Sequence, residues 1–243
     1  MITWSILPFV VFILLCWLEL KLPAKIQGTV YSVGDWIMNL SGFFMQGIVV
    51  PLAGYFIAAH VLPHYFPSAQ GILPLGIMGA FLLNVVGVDF LYYLQHRAFH
   101  QIPWLWKMHA PHHYSPVVNV WATSRNALLT HFLFVYMLVN PVLGYLCDAP
   151  EAFFAGAMFT AALDLFRHSN VRLRLPALQG FFVLPKDHHR HHDSEKHFAN
   201  YGANFIIWDR LFGTADIQDN YPNTYSSANP PSIVTQLFYP WKA

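Results

Sequence analysis

"DHHRHHDSEKH", residues 187–197, places five histidines in eleven positions of a chain that is 56% hydrophobic and only 10% charged. A histidine-rich tract is ordinarily an affinity tag or a metal-scavenging tail. This one is internal and leads at once into the apolar, aromatic stretch "NYGANFIIWDRLFGT", residues 200–214. Its spacing is also regular: His188, His191 and His192 read H-x-x-H-H. The rest of the chain has to say why so much imidazole gathers in so apolar a protein.

The chain has 243 residues, with 21 Phe, 12 Tyr and 8 Trp, and a mean hydropathy of +0.39. That is too apolar for a water-soluble domain of this length. The formal net charge of +1 gives no basis for a nucleic-acid partner. Two cysteines, Cys16 and Cys147, are too few for a disulfide framework and read as small core residues.

Five apolar runs set the expected fold, an all-α integral membrane bundle of about four spans plus a partial span or hairpin. Trp4–Leu20 is the first, at the short end of the spanning range. It lacks the basic start and small-residue cleavage site of a signal peptide. Trp36–Leu62 is the second, with a kink expected at Pro51. Ile72–Leu94 is the third, and Ala127–Leu146, interrupted by His131 and by Asn140-Pro141, is the fourth. Ala152–Leu165 is too short for a full span and reads as a partial span or the return limb of a hairpin closed by "CDAPE". No internal repeat or linker divides the chain. It is expected to be one domain, with N-terminal spans (1–88), a histidine-rich catalytic region (89–214) and a polar, interfacial tail (215–243).

Basic residues give the orientation. Lys21 and Lys25 follow the first run; Arg97, Lys107 and Arg125 lie between the third and fourth; Arg167, Arg172, Arg174, Lys186, Arg190 and Lys196 follow the fifth. The loops at 63–71 and 147–151 carry none. Alternating spans put every basic segment on one face, which the positive-inside rule makes cytoplasmic.

Four histidine clusters fall in those same segments, forming a cytoplasmic cap. His96 and His100, at i and i+4, share a helix face just past the third run. "KMHAPHHYSP" supplies His109, His112 and His113, a second H-x-x-H-H; His168 ends the fifth run; His188, His191 and His192 complete the set. Positions i, i+3 and i+4 are expected to converge on a point, and neutral imidazole suits Fe, Zn, Cu and Ni. Nine imidazoles are too many for one ion and about right for two. His60 and His64 flank a span on the opposite face and read as ordinary interfacial side chains; His189 points away from its neighbours' face if the segment is helical.

"HRAFH", "HAPHH" and "HHRHH" resemble the three histidine boxes of the fatty acid hydroxylase/sterol desaturase superfamily, and "RHSNVRL" with "NYGANFIIWDRLFGT" resembles its bacterial branch. The resemblance runs from about Asp89 to Thr214. It implies a helical membrane fold and a non-haem di-iron centre, with His96 and His100 as first-box ligands. His109, His112 and His113 are then the second box, His168 an intervening ligand, and His188, His191 and His192 the third. It further implies O₂-dependent hydroxylation or desaturation of an unactivated lipid C–H bond, in a multi-pass enzyme of the bacterial inner membrane. Zinc can replace iron in a recombinant sample, since the ligands suit both.

Some relatives carry a second histidine four residues before the position of His168, where this chain has Asp164. Asp164 either ligates or orients an imidazole. His131 and His197 are the other candidates for a tenth ligand. Asp89, an acid inside a span, should face the protein interior and have a partner, with a supporting role towards His96 or a neighbouring box. Asn170, Asp187, Asp193 and Asn200 are further supporting candidates, although a solvated loop explains Asp193 and Glu195 equally well.

Two reduced irons could supply electrons to O₂ for attack on a C–H bond, with the protein fixing the metals, orienting the substrate and excluding water. No flavin, haem or iron–sulfur motif is visible, so a separate electron donor is implied: a ferredoxin, a b-type cytochrome or a reductase. The lipid itself is left open among fatty acyl, sterol, sphingoid, ether-lipid and carotenoid classes. A membrane-embedded zinc hydrolase needs only three protein ligands and a general base, and no H-E-x-x-H occurs. A divalent-metal transporter should hold its ligands near the bilayer midplane, whereas these cluster beyond the span ends. The closing "IVTQLFYPWKA" returns to aromatics that suit a membrane interface.

Overall fold

The computed structural model describes residues 2–25, 30–194, 198–225 and 229–242. Among the described residues there are helices and isolated bridges but no strands. Helix α1 is Ile2–Lys21. Among the described residues, three helices are long and apolar enough to cross a membrane: α2, Val33–Tyr65; α3, Gly76–Gln101; and α5, Leu128–Leu146. Between the last two lies α4, Pro103–His113. Then come α6, Pro150–His168, α7, Pro185–His191, α8, Ile207–Leu211, and α9, Ile233–Phe238. The expected runs 36–62, 72–94 and 127–146 thus fall on the three spanning-length helices, and 4–20 and 152–165 lie within α1 and α6.

The expected interruption at His131 is present: a 3₁₀ turn over Leu128–Phe132 ends at Leu133, whose backbone is extended, before α5 continues. The prolines, by contrast, do not break their helices. Just before Pro51, Pro63 and Pro141 the backbone widens by one residue, so that Val50 N–H bonds Met45 O, Leu62 N–H bonds Ile57 O and Asn140 N–H bonds Val135 O. Proline has no N–H to give and its ring would strike the carbonyl four residues back. The wider turn moves that carbonyl aside and the helix continues. Helix α3 runs beyond its apolar stretch, through "LQHRAFHQ", which carries His96 and His100 on its last turns. It ends where Ile102 turns extended ahead of Pro103.

The two ends of the bundle differ. At one, Asp148 accepts from the N–H groups of Leu75 and Gly76 and so caps α3, while Leu73 bridges Cys147. At the other, the C-terminal turns of α3 and α6 meet α4 and α7. Helix α1 packs along α6, and α3 crosses α6 closely at Gly156, where a Cβ would stand 2.8 Å from Asn84 Cβ and 2.9 Å from Phe81 O. Such small-residue crossings are what membrane helices use to approach. One apolar cluster joins Ala80, Val88, Val135, Val139, Cys147 and Phe153; the other joins Leu15, Val120, Leu165 and Val171, with Cys16 against it. Both cysteines are free thiols, as their apolar surroundings suggested.

Candidate metal centre

All nine expected histidines are buried and lie in two groups, within which the ligating atoms stand within 4.8 Å of one another. His96, His100, His109, His113 and His191 form one; His112, His168, His188 and His192 form the other. The expectation that each H-x-x-H-H would converge on one point is corrected by this division. On α4, His109 and His113 serve the five-histidine group and His112 the other. On α7 the pattern is reversed, His188 and His192 serving the four-histidine group and His191 the five. At about 100° per residue, i and i+4 lie some 40° apart, whereas i+3 and i+4 lie about 100° apart and face different neighbours.

Ring nitrogens meet head to head: His96 and His109 at 3.1 Å, His112 and His168 at 3.1 Å, His168 and His188 at 2.9 Å, His188 and His192 at 3.2 Å, all Nε2 to Nε2. Two nitrogens bound at about 2.1 Å and at right angles to each other on one ion would sit about 3 Å apart. For several of these rings burial disfavours the protonated form. Burial pushes His109 down to about 3, and burial followed by neighbouring imidazoles holds His112, His113, His188 and His192 well below the usual histidine range. Buried, neutral, converging nitrogen donors fit a pair of transition-metal ions.

Backbone carbonyls turn several rings inward. His96 Nδ1 pairs with Tyr201 O at 2.8 Å and His191 Nδ1 with Ala199 O at 2.8 Å. Between those carbonyls Asn200 adopts φ +55, a left-handed conformation that asparagine tolerates better than most. Its Nδ2 donates to Asp187 O and Asp216 O, and its Oδ1 accepts from Asp216 N–H. On the other side His112 Nδ1 pairs with Arg125 O at 3.0 Å, and His168 Nδ1 with Asp164 O at 2.8 Å. Donation from Nδ1 fixes the tautomer that leaves Nε2 free to ligate.

The other expected residues take varied places. Asp164 lies outside both groups; its Oδ1 is 3.0 Å from His168 Nδ1 and 2.7 Å from Arg167 Nη2. Asp89 faces the interior with two partners, accepting from Asn204 N–H at 2.7 Å and Trp208 Nε1–H at 2.7 Å. It thereby holds the loop that presents Tyr201 O to His96 rather than touching a histidine. Asp187 Oδ2 accepts from Leu184 N–H and caps α7. Asn170 pins residue 25, pairing with its N–H and C=O. Asp193 is buried at the end of the third box rather than solvated. His131 is buried but outside both groups, and neither of its ring nitrogens has a hydrogen-bond partner. His197 and Glu195 lie outside the described residues.

His189 does turn away from the groups, yet it is fully buried. It pairs through Nδ1 with Tyr225 O–H at 2.8 Å, and through Nε2 with the carbonyls of His168 and Ser169 at 3.3 and 3.2 Å. It ties α7 to the end of α6. Arg125 was legible only as a basic loop residue; it is 1% exposed and bonded on every side.

The family model for fatty acid hydroxylase matches residues 81–214, more than half of the chain. The protein belongs to the fatty acid hydroxylase family. Among its relatives are an alkylglycerol monooxygenase of Xenopus tropicalis, 27% identical over 84% of this chain and 46% of its own length, and an ornithine lipid hydroxylase of Rhizobium tropici, 33% identical over 64% of this chain and 45% of its own. A fatty acid hydroxylase of a Lecanicillium species is 29% identical over 52% of this chain and 39% of its own. The chain thus spans slightly under half the length of these relatives. No solved structure matches it.

Proposed function

We propose that the protein is an O₂-dependent di-iron hydroxylase or desaturase acting on a C–H bond of a membrane lipid. The observation that carries this is the partition of nine buried histidines into groups of five and four. The names of the relatives, all lipid-directed hydroxylases or monooxygenases, support the substrate class. Iron, when bound, supplies the redox chemistry that activates O₂.

The chain's own part is positional. The carbonyls of Ala199, Tyr201, Arg125 and Asp164 hold four rings in the ligating tautomer. Asp164 Oδ1, shared between Arg167 and His168, adds a second contact on His168 and is read as an orienting group, not a ligand. Aromatic side chains keep water from the five-histidine group: Phe99 stacks on His109 with centroids 5.2 Å apart, and Trp106 covers His100 at 4.9 Å. The substrate's alkyl part would approach from the bilayer side, along the spanning-length helices. An apolar groove of about 470 Å³ between Leu91, Leu94, Ala98, Leu105 and Phe134 would lie on that side. The finer topology belongs to the same proposal: α1 and α6 add a fourth crossing and a partial one, the histidine end faces the cytoplasm of a bacterial inner membrane, and a separate protein donates electrons. The exposed Val234, Phe238, Tyr239 and Trp241 around α9 suit a position at the membrane surface.

The test is twofold. Protein purified from iron-replete cells should carry about two metal ions per chain, on the two-metal reading. Lipids of cells making it should show one class gaining an oxygen or losing two hydrogens. One metal or none, or an unchanged lipid profile with metal-loaded protein, overturns the proposal.

A further inference from the structure

We infer that Arg125 is the positioning residue for the four-histidine group, and that Asp35 and Gln236, outside the family-matched region, hold it in place. The inference rests on the two-metal reading above and goes beyond it in assigning a support to one metal position only.

The geometry is continuous from the anchor to the ring. Arg125 Nη1 meets Asp35 Oδ1 at 2.8 Å, Nη2 donates to Gln236 Oε1 at 3.2 Å, and Nε donates to Pro111 O at 2.9 Å. Each anchor is itself fixed. Asp35 Oδ2 accepts from the N–H and Oγ–H of Ser32 at the start of α2. Gln236 Nε2 donates to Pro231 O at 2.7 Å, which orients its oxygen toward the guanidinium. With its fork held at three points, Arg125 presents its own carbonyl to His112 Nδ1 at 3.0 Å. Its Nε grips the carbonyl of the residue just before that histidine. His112 is thereby turned so that its Nε2 faces His168 Nε2 at 3.1 Å. A planar guanidinium with several fixed donors can do this; a lysine ammonium cannot reproduce the fork.

The carbonyl of Arg125 serves one group only. Among the described contacts, the five-histidine group takes its backbone acceptors from Ala199 and Tyr201, and neither contacts Arg125. A residue that merely stabilised the fold would weaken both metal positions together. Losing an outer partner of a ligating histidine commonly weakens metal binding 10- to 100-fold, and here that loss should fall on one ion.

The experiment is a double-mutant cycle read by metal content and chelator titration. Arg125→Met is placed in the wild type, in His192→Gln (four-histidine group disabled) and in His191→Gln (five-histidine group disabled). In the wild type it should lower metal from about two per chain toward one, by weakening one ion about tenfold or more. In His192→Gln it should remove nothing further, and in His191→Gln it should release the remaining ion. Two firmly held ions in Arg125→Met, or equal weakening in both backgrounds, overturns the inference. Should Arg125→Met fail to accumulate, Gln236→Ala carries the same test and should give the same one-sided loss, smaller in size. Fewer than two ions in the wild type would instead overturn the two-metal reading on which this rests.

Discussion

His168 and His188 meet Nε2 to Nε2 at 2.9 Å, although they belong to different helices and lie twenty residues apart. Next to His188 on the same short helix, His189 faces the other way and bonds Tyr225 and the end of α6.

These neighbours therefore give opposite phenotypes. His188→Gln should lose one metal ion per chain and all product, while the protein still inserts and elutes normally. His189→Gln should keep both ions but lose stability, since buried hydrogen bonds left unmade cost about 1–3 kcal/mol. At roughly 2–4 °C per kcal/mol for a chain of this size, the thermal midpoint should drop by several degrees. Similar metal loss in both variants would show that the residue assignment is wrong.

At Asn200 the constraint is partly in the backbone. Asn200→Ala removes the three side-chain hydrogen bonds and leaves a Cβ in a left-handed residue without the polar group that offsets it, at a cost of about 1–2 kcal/mol. Asn200→Gly removes the same bonds but accepts φ +55. Both should loosen the five-histidine ion, the alanine variant more. A chelator titration in which alanine holds metal as well as glycine would locate the effect in the side chain alone.

Gly42 marks where α2 touches the loop that carries Arg125. A Cβ there would overlap Ser124 O and stand 3.0 Å from Arg125 N. Alanine normally favours a helix by about 1 kcal/mol over glycine. Here overpacking, which costs about 1–3 kcal/mol or more, should outweigh that gain and push the Arg125 carbonyl from His112. Lower thermal midpoint and lower metal content in Gly42→Ala are expected together; a stabilised variant would contradict the close approach.

Metal-free protein, prepared by chelation, should be acid-labile. Folding holds His109 down at about 3, whereas an exposed histidine titrates near 6.5. Between those values the unfolded chain binds more protons, so stability rises with pH. It is fully present above about 6.5 and is lost progressively as pH falls toward about 3. Melting midpoints of the chelated protein from pH 7.5 to pH 5 should fall steadily, and a flat profile would mean the imidazoles are not buried as described.

The histidine spacing and the apolar runs were enough to assemble the nine residues and the helices that bring them together. What stayed hidden was carried by parts of the chain that side-chain letters do not display. The acceptors that orient His96, His191 and His112 are peptide carbonyls, so Tyr201, Ala199 and Arg125 had no motif to advertise them. Asn200 and Asp89 were legible as supporting residues, but each works on the path of a loop rather than on an imidazole. Arg125, Arg167 and Arg190, legible only as basic residues of the segments assigned to the cytoplasmic face, are 1%, 2% and 5% exposed and pair with Asp35, Asp164 and Asp216. A rule about which side of a membrane carries basic residues counts them without regard to whether they are solvated. Asn140-Pro141 misled in the opposite sense, since a widened turn lets the helix absorb a proline that alone predicts an interruption.

The anchoring of Arg125 by two residues far from it in sequence has a consequence for biosynthesis. Asp35 leaves the ribosome 90 residues ahead of Arg125 and waits, whereas Gln236 follows 111 residues behind it. The spanning-length helices would by then have been made, with the second histidine box still lacking one of its restraints. Firm loading of the four-histidine position would then wait for α9. A chain interrupted before α9 would be membrane-inserted yet poor at keeping that ion.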